Sequence, residues 1–224
     1  MPAKTQKSSA TRRVAIVGDL RAADPTVTED GTAQSGSITG HAAVYGQVAS
    51  IGGWFNEVIQ TGAFDGADLT DVPFLVNHDM DGIPLARSRR NNGNSTMQLS
   101  VDNVGLAFAA DLDIVNNDKS KSLYSAIGRG DIDKMSYCFD VSEEDWAGLD
   151  TDMPTRTITK IAKVYEISAV NFPAFEGTDI QMASRDKEAL DSAKVLLESR
   201  QSALDSEKNE LELVKLKCKI LAGG

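Results

Sequence analysis

The sequence predicts an α+β protein, mostly strands, followed by one long helix. Three observations carry this. Between Arg13 and Val170 the apolar residues fall in short runs, separated by clusters of Gly, Asn, Asp and Pro, which is the punctuation of strands and turns. Inside that region only Asn117 to Ile127 has helical spacing, with Leu123, Ala126 and Ile127 as its apolar stripe. From about Ser184 proline is absent, and Leu190, Leu197, Leu204 and Leu211 recur every seven residues. The companion positions Arg200 and Glu207 are charged, so the tail reads as one amphipathic helix that docks on something rather than as a regular coiled coil.

The chain has 224 residues, 41% of them hydrophobic and 25% charged, with a net charge of −10. That length supports a core without disulfide staples. The acidic balance, with no basic patch interleaved with aromatics, argues against nucleic-acid binding. Cys138 and Cys218 are far apart and show no metal-ligand spacing; a reducing, intracellular setting is expected. No apolar run approaches the roughly 18 residues of a membrane span. The cationic N-terminus lacks the apolar segment of a signal peptide. No metal or cofactor is implied.

In chain order, residues 1–11 are expected to be disordered, Arg13 to Val17 to form a strand, and residues 18–37 a loop. Ser37 to Tyr45 is a strand whose Gly40 suggests a bulge or a close backbone approach. Turns are expected at Gly46 and at Gly52-Gly53, followed by an apolar aromatic run from Trp54 to Ile59. Val72 to His78 is a strand, with Phe74, Val76 and His78 on one face and Leu75, Asn77 and Asp79 on the other. Leu85 to Arg90 and Thr96 to Val101 read as two strands of a meander, and Gly105 to Asp113 as a third strand. Asp118 is the expected N-cap of the helix, and Gly128 to Gly130 its end. Asp133 to Val141 is a strand, residues 142–155 a surface loop, and Arg156 to Val170 one long strand or two short ones. Asn171 to Phe175 leaves the sheet. The expected division is a tail at 1–11, a main domain at 12–183 and a helix at 184–224.

Three polar residues stand out of keeping with apolar strands. His78, one of two histidines, closes a strand where a side chain can face a cleft. Ser136 lies between Met135 and Tyr137. Glu166 shares a strand face with Val164, Ser168 and Val170, and a carboxylate there is costly unless paired. A hydroxyl, an imidazole that takes its proton, and a third group that orients the ring are the parts of serine hydrolysis, in any chain order. Each has a plainer reading: an edge histidine, a serine bonded to backbone, a glutamate facing solvent. Asp79 and Asn77 compete with Glu166 as orienters, although strand parity turns them away from His78. Cys138 shares a face with Ser136 and competes as nucleophile, given a lowered pKa. His41 competes as base. Asn94-Ser-Thr96 matches a glycosylation acceptor without other signs of secretion. There is no GxSxG elbow, P-loop, HExxH motif or calcium loop.

The segments Ile38-Thr-Gly-His-Ala-Ala-Val-Tyr45, Glu57-Val-Ile-Gln-Thr-Gly-Ala-Phe64, Leu75-Val-Asn-His-Asp79, Gly105-Leu106, Gly130-Asp-Ile-Asp-Lys-Met-Ser-Tyr-Cys-Phe139 and Tyr165-Glu-Ile-Ser-Ala-Val-Asn-Phe-Pro-Ala174 occur in this order. Order and spacing together resemble the prohead (capsid maturation) proteases of tailed bacteriophages, which look like relatives of the herpesvirus assembly protease, assemblin. The match covers roughly residues 35–180. His41, and Thr61 where a proline is expected, depart from the family pattern.

The resemblance implies a mostly antiparallel β-barrel core with peripheral helices. It carries the catalytic histidine onto His78, the nucleophile onto Ser136 and the acidic third member onto Glu166. The implied role is a serine endopeptidase inside the immature capsid, in the host cytoplasm. Its expected substrates are the scaffolding region of the major capsid protein and the chain itself, and homo-oligomers are an allied expectation; neither nucleic acid nor membrane is a partner. The alternative is an inactive assembly or scaffolding protein of the same fold, with the C-terminal helix, a scaffold-like tail, doing the binding.

Overall fold

The computed structural model describes residues 11–15, 20–27, 29, 33–89, 94–171 and 187–199, and a few helical positions between 202 and 210. Of the expected tail at residues 1–11, Thr11 instead begins a strand; residues 1–10 and the segment after Asn171 up to residue 186 lie outside the described residues, as does most of the expected C-terminal helix.

The strands are β1 (Thr11–Ala15), β2 (Arg21–Ala22), β3 (Thr26–Val27), β4 (Ala33–Val44), β5 (Ala49–Ile51) and β6 (Phe55–Ile59). Then come β7 (Asp71–Val76), β8 (Ala86–Arg89), β9 (Met97–Val101), β10 (Gly105–Leu112), helix α1 (Asp118–Gly128), β11 (Lys134–Ala147) and β12 (Thr155–Val170). A second helix, α2, covers residues 187–199. The fold is thus α+β and mostly sheet. The described strands form two sheets, of seven and five strands, rather than one closed ring.

The larger sheet runs β1-β11-β12-β6-β5, and β7 joins β12 and carries β8. β11 and β12 form a long antiparallel hairpin whose register shifts at several points between Cys138 and Glu144. Such bulges bend and twist a ladder. At its base β12 pairs parallel with β7, and at its tip parallel with β6. The smaller sheet runs β2-β4-β10-β9, with β3 on β4. The core lies between the sheets: Phe74, Tyr137, Phe139 and Ile167 from one, Ile38, Met97, Leu106 and Phe108 from the other, with Leu123 and Ile127 of α1. Phe74 and Phe108 meet across it at 5.7 Å between ring centroids. Each such side chain contributes about 1.5–3 kcal/mol on burial.

Several expectations are corrected. Residues 142–147 are not loop but the outer half of β11; the connection is only Gly148 to Pro154. Its acidic residues sit on an exposed arm with half-buried anchors. Trp146 packs edge-on against Phe55 at 5.1 Å, and Glu144 binds Arg156. The expected loop at 18–37 contains β2, β3 and the start of β4. The bulge in β4 lies opposite Leu106 and Ala107, leaving Ala42 as the extra residue, not at Gly40. There Gly105 approaches so closely that a Cβ would lie 2.0 Å from the Ala43 carbonyl oxygen. β8 and β9 do not form one meander, since β8 pairs with β7 and β9 with β10 in the other sheet. Asn117, not Asp118, is the N-cap: its Oδ1 accepts from the N–H groups of Lys119 and Ser120 at 3.1 and 3.3 Å. Asp118 instead occupies the first turn, where the helix dipole favours an anion.

Candidate functional site

The bend in the β11–β12 ladder sets the site. Ser136 lies directly opposite Ser168, and Cys138 opposite Glu166. Paired residues share a face, so Ser136, Cys138, Glu166 and Ser168 all point away from the core, which takes Met135, Tyr137, Ile167 and Ala169. A register shift between Cys138 and Phe139 turns Val164 into the core. Val164 therefore does not share the face of Glu166, as uniform alternation had predicted.

His78 reaches this face by leaving the strand. β7 stops at Val76, and the last ladder contact is the Asn77 N–H to the Ala169 carbonyl at 2.9 Å. Asn77 and His78 then both take left-handed backbone conformations, with φ of 52° and 59°. This corrects the expected strand through residue 78. A regular continuation would have put His78 beside Phe74 and Val76, on the core side. Left-handed geometry costs an L-residue roughly 1–2 kcal/mol, least for asparagine among common non-glycine residues. The Asn77 carboxamide oxygen also accepts from the Asn171 N–H at 3.1 Å, which ties the turn to the end of β12.

The three candidate side chains meet. Ser136 Oγ lies 2.7 Å from His78 Nε2, and His78 Nδ1 lies 2.7 Å from Glu166 Oε1. Glu166 is fully buried and the His78 side chain is 17% exposed. A carboxylate only accepts, so Nδ1 carries the ring proton in the neutral state and Nε2 offers its lone pair to the hydroxyl. Such an arrangement can take a proton from the serine as it attacks a carbonyl and return it to a leaving amine.

The competitors fall elsewhere. His41 sits on the smaller sheet with Nε2 2.9 Å from Asp102 Oδ2. That partner holds the Asp102 carboxyl down at about 2, helped by the Gly105 N–H. It is Glu166, rather than Asp79 or Asn77, that meets Nδ1. Cys138 is buried on the same face as Ser136, but Nε2 is directed at Ser136. Cys218 lies outside the described residues. Among the described residues no group of three His, Cys, Asp or Glu is placed to hold a metal ion, and no helix is long and apolar enough to cross a membrane.

Two features escaped the sequence reading. One is the left-handed turn, for which an Asn before the histidine was the available signal. The other is Ser168, whose Oγ donates to Glu166 Oε2 at 2.6 Å and accepts from the His78 N–H at 3.3 Å. Its signal was a hydroxyl two residues beyond an out-of-place carboxylate.

The family model described as caudovirus prohead serine protease matches residues 23–193. The chain belongs to this family. Membership makes it a protease of bacteriophage capsid maturation, in agreement with the resemblance read from the sequence. Among solved structures, that of the bacteriophage T4 capsid assembly protease, gp21, is similar to this chain. The identity is 11%, the coverage 74% of this chain and 99% of that one, and the TM-score 0.43. No curated protein matches.

Proposed function

We propose that this prohead protease is a serine endopeptidase in which Ser136 is the nucleophile, His78 the general base and then acid, and Glu166 the group that orients His78. The observation that carries the reading is the unbroken series of contacts, Ser136 Oγ to Nε2 and Nδ1 to Oε1, each 2.7 Å. Ser136 attacks the scissile carbonyl while His78 takes its proton. The imidazolium is stabilised by the buried carboxylate beside it, then protonates the leaving amine. Water follows the same route in reverse to release the acyl group. Preorganised N–H donors for the oxyanion are worth about 3–4 kcal/mol each in such enzymes.

Family membership supports the setting. The substrates are the scaffolding region of the major capsid protein and the chain itself, cut inside the prohead in the host cell. We assign residues 12–183 to the protease domain and residues 184–224 to a helical tail that engages the scaffold. Self-association of the chain belongs to the same proposal.

The test is the intact mass over time of the purified chain and of Ser136→Ala, each with the cognate capsid protein. Shortened species with the parent and none with the variant are expected. Equal processing by both would remove Ser136 from the chemistry and point to Cys138. No processing by the parent alongside its capsid protein would favour the assembly-protein alternative.

A further inference from the structure

We propose that Ser168 is a positioning residue that holds both ends of the Glu166–His78 contact; this rests on the reading of the site given above. A buried carboxylate needs donors at both oxygens. Oε1 of Glu166 has His78 Nδ1, and Oε2 has the Ser168 hydroxyl at 2.6 Å. Neither the Ser168 nor the Glu166 side chain is exposed to solvent.

The same hydroxyl serves the other end. His78 is the second of two left-handed residues, one residue past the last ladder bond of β7, and its N–H points to Ser168 Oγ at 3.3 Å. A serine hydroxyl has one proton and two lone pairs. Here the proton goes to the carboxylate, so the oxygen is left to accept from the main chain of His78. The bonds run in one direction, N–H to O–H to carboxylate, and such chains polarise one another. One side chain thus fixes the carboxylate and the backbone from which the imidazole hangs.

The placement follows from the ladders. Ser168 is opposite Ser136 on β11 and level with Leu75 on β7. It therefore stands on β12 between the nucleophile strand and the end of β7, one residue before the Ala169 carbonyl that binds the Asn77 N–H. Glu166, two residues earlier, shares its face. Alanine at 168 would leave Oε2 without this donor and the left-handed turn without this anchor. The carboxylate could then rotate away from Nδ1. The nearest analogues, the hydrogen-bond partners behind metal-ligating histidines and carboxylates, are typically worth 10–100-fold.

The experiment measures the rate at which a fluorophosphonate probe labels Ser136 in the full chain. The serine oxygen attacks phosphorus, fluoride leaves, and His78 takes the hydroxyl proton, so the rate reports activation of the nucleophile without a known peptide substrate. Ser168→Ala is expected to slow labelling by about 10–100-fold, and Ser168→Thr, which keeps the hydroxyl, to stay within about threefold of the parent by the same reasoning. The decisive readout is a double-mutant cycle with Glu166→Ala. If Ser168 acts through Glu166 as well as through the His78 main chain, Ser168→Ala costs clearly less in that background than in the parent, the remainder being the loss of the anchor on the His78 N–H. Additive losses, or a Ser168→Ala rate equal to the parent's, would overturn the proposal. Should Ser168→Ala fail to fold, Ser168→Cys, with its weaker donor, takes its place in the cycle under the same criteria. A parent chain not labelled at Ser136 overturns the site reading itself, and this proposal with it. Parent labelling at Ser136 with additive losses overturns this proposal alone.

Discussion

Glu166→Gln is nearly isosteric, and the contacts around it determine which way the new amide turns. With its carbonyl toward His78, the NH₂ group faces Ser168 Oγ, which already accepts from the His78 N–H. The Ser168 proton then loses its acceptor in a buried place, at a cost of about 1–3 kcal/mol. With its NH₂ toward His78, the carbonyl accepts from Ser168 as Oε2 did, and every group in this part of the site is bonded. That second orientation requires a lone pair at Nδ1 and so places the ring proton on Nε2, facing Ser136. A ring protonated there cannot take the serine proton. The favoured amide orientation is therefore the unproductive one. Loss of the charge 2.7 Å from the imidazolium removes roughly another 1.5–3 kcal/mol, the worth of a charged hydrogen bond. Together these give a loss of about 10²–10⁴-fold in rate, alongside the roughly 10⁴-fold known for an inverted tautomer elsewhere. Fluorophosphonate labelling measures the rate, and long-range nitrogen–proton NMR of the imidazole shows which nitrogen is protonated. A Glu166→Gln chain within about fivefold of the parent, equivalent to only about 1 kcal/mol, with Nδ1 still protonated, would refute the reasoning.

Further predictions concern stability. Arg156 is buried between Glu57, at 3.0 Å, and Glu144; Arg156→Met should cost about 3–5 kcal/mol by leaving the buried Glu57 carboxylate without this cation. Urea unfolding checks this, and a change below about 1 kcal/mol, the level of an exposed pair, would contradict it. Asn117→Ala should cost about 0.5–2 kcal/mol through the lost cap, read from the same transition, while Asn117→Ser should restore most of it. Gly105→Ala forces a Cβ against the Ala43 carbonyl oxygen, and overpacking of this kind costs about 1–3 kcal/mol or more; an unchanged melting temperature would count against the close approach. Asp102, held at about 2 chiefly by His41, and Asp68, held at about 2 chiefly by the Thr70 hydroxyl, both lie below the ordinary 3.8. Their contribution to stability is complete above the ordinary value and is lost as pH falls from about 4 to about 2. Both carboxylates are partly exposed, so the effect is modest, and Asp102→Asn should flatten the acid limb of a stability–pH profile rather than steepen it.

Much of this architecture is legible in the residues. Alternation and turn clusters gave strands close to β4, β8, β9 and β10, because half-buried strands between two sheets must alternate and their turns need glycine or asparagine. The outer half of β11 escaped because its acidic residues look like loop. What makes it strand is distant: Arg156 neutralises Glu144 and Phe55 receives Trp146, and neither partner is visible from residues 142–147. Assignment of β8 and β9 to different sheets was likewise beyond local reading, since pairing depends on neighbours far along the chain.

The candidate site shows where regular rules stop and why they stop there. Period-two reasoning correctly placed Ser136 with Cys138 and Glu166 with Ser168, since those ladders are intact at that point. The same reasoning applied to β7 put His78 on the Phe74 face, which is the core face, and so on the wrong side of the sheet from Ser136. The three residues were joined by their chemistry, as polar side chains out of keeping with apolar strands, and then by the resemblance between sequences, not by parity. The structure resolves the conflict with two left-handed residues in succession, a device that local propensity disfavours. In the proposed mechanism the base at the end of β7 must reach across β12 to a nucleophile on β11, and it cannot hang from a regular continuation of its own strand, because that continuation turns it inward. The irregular turn is therefore part of the site's design. It is bonded at Asn77 through Ala169 and Asn171 and at His78 through Ser168, which is where substitutions outside the three candidate residues should be felt most.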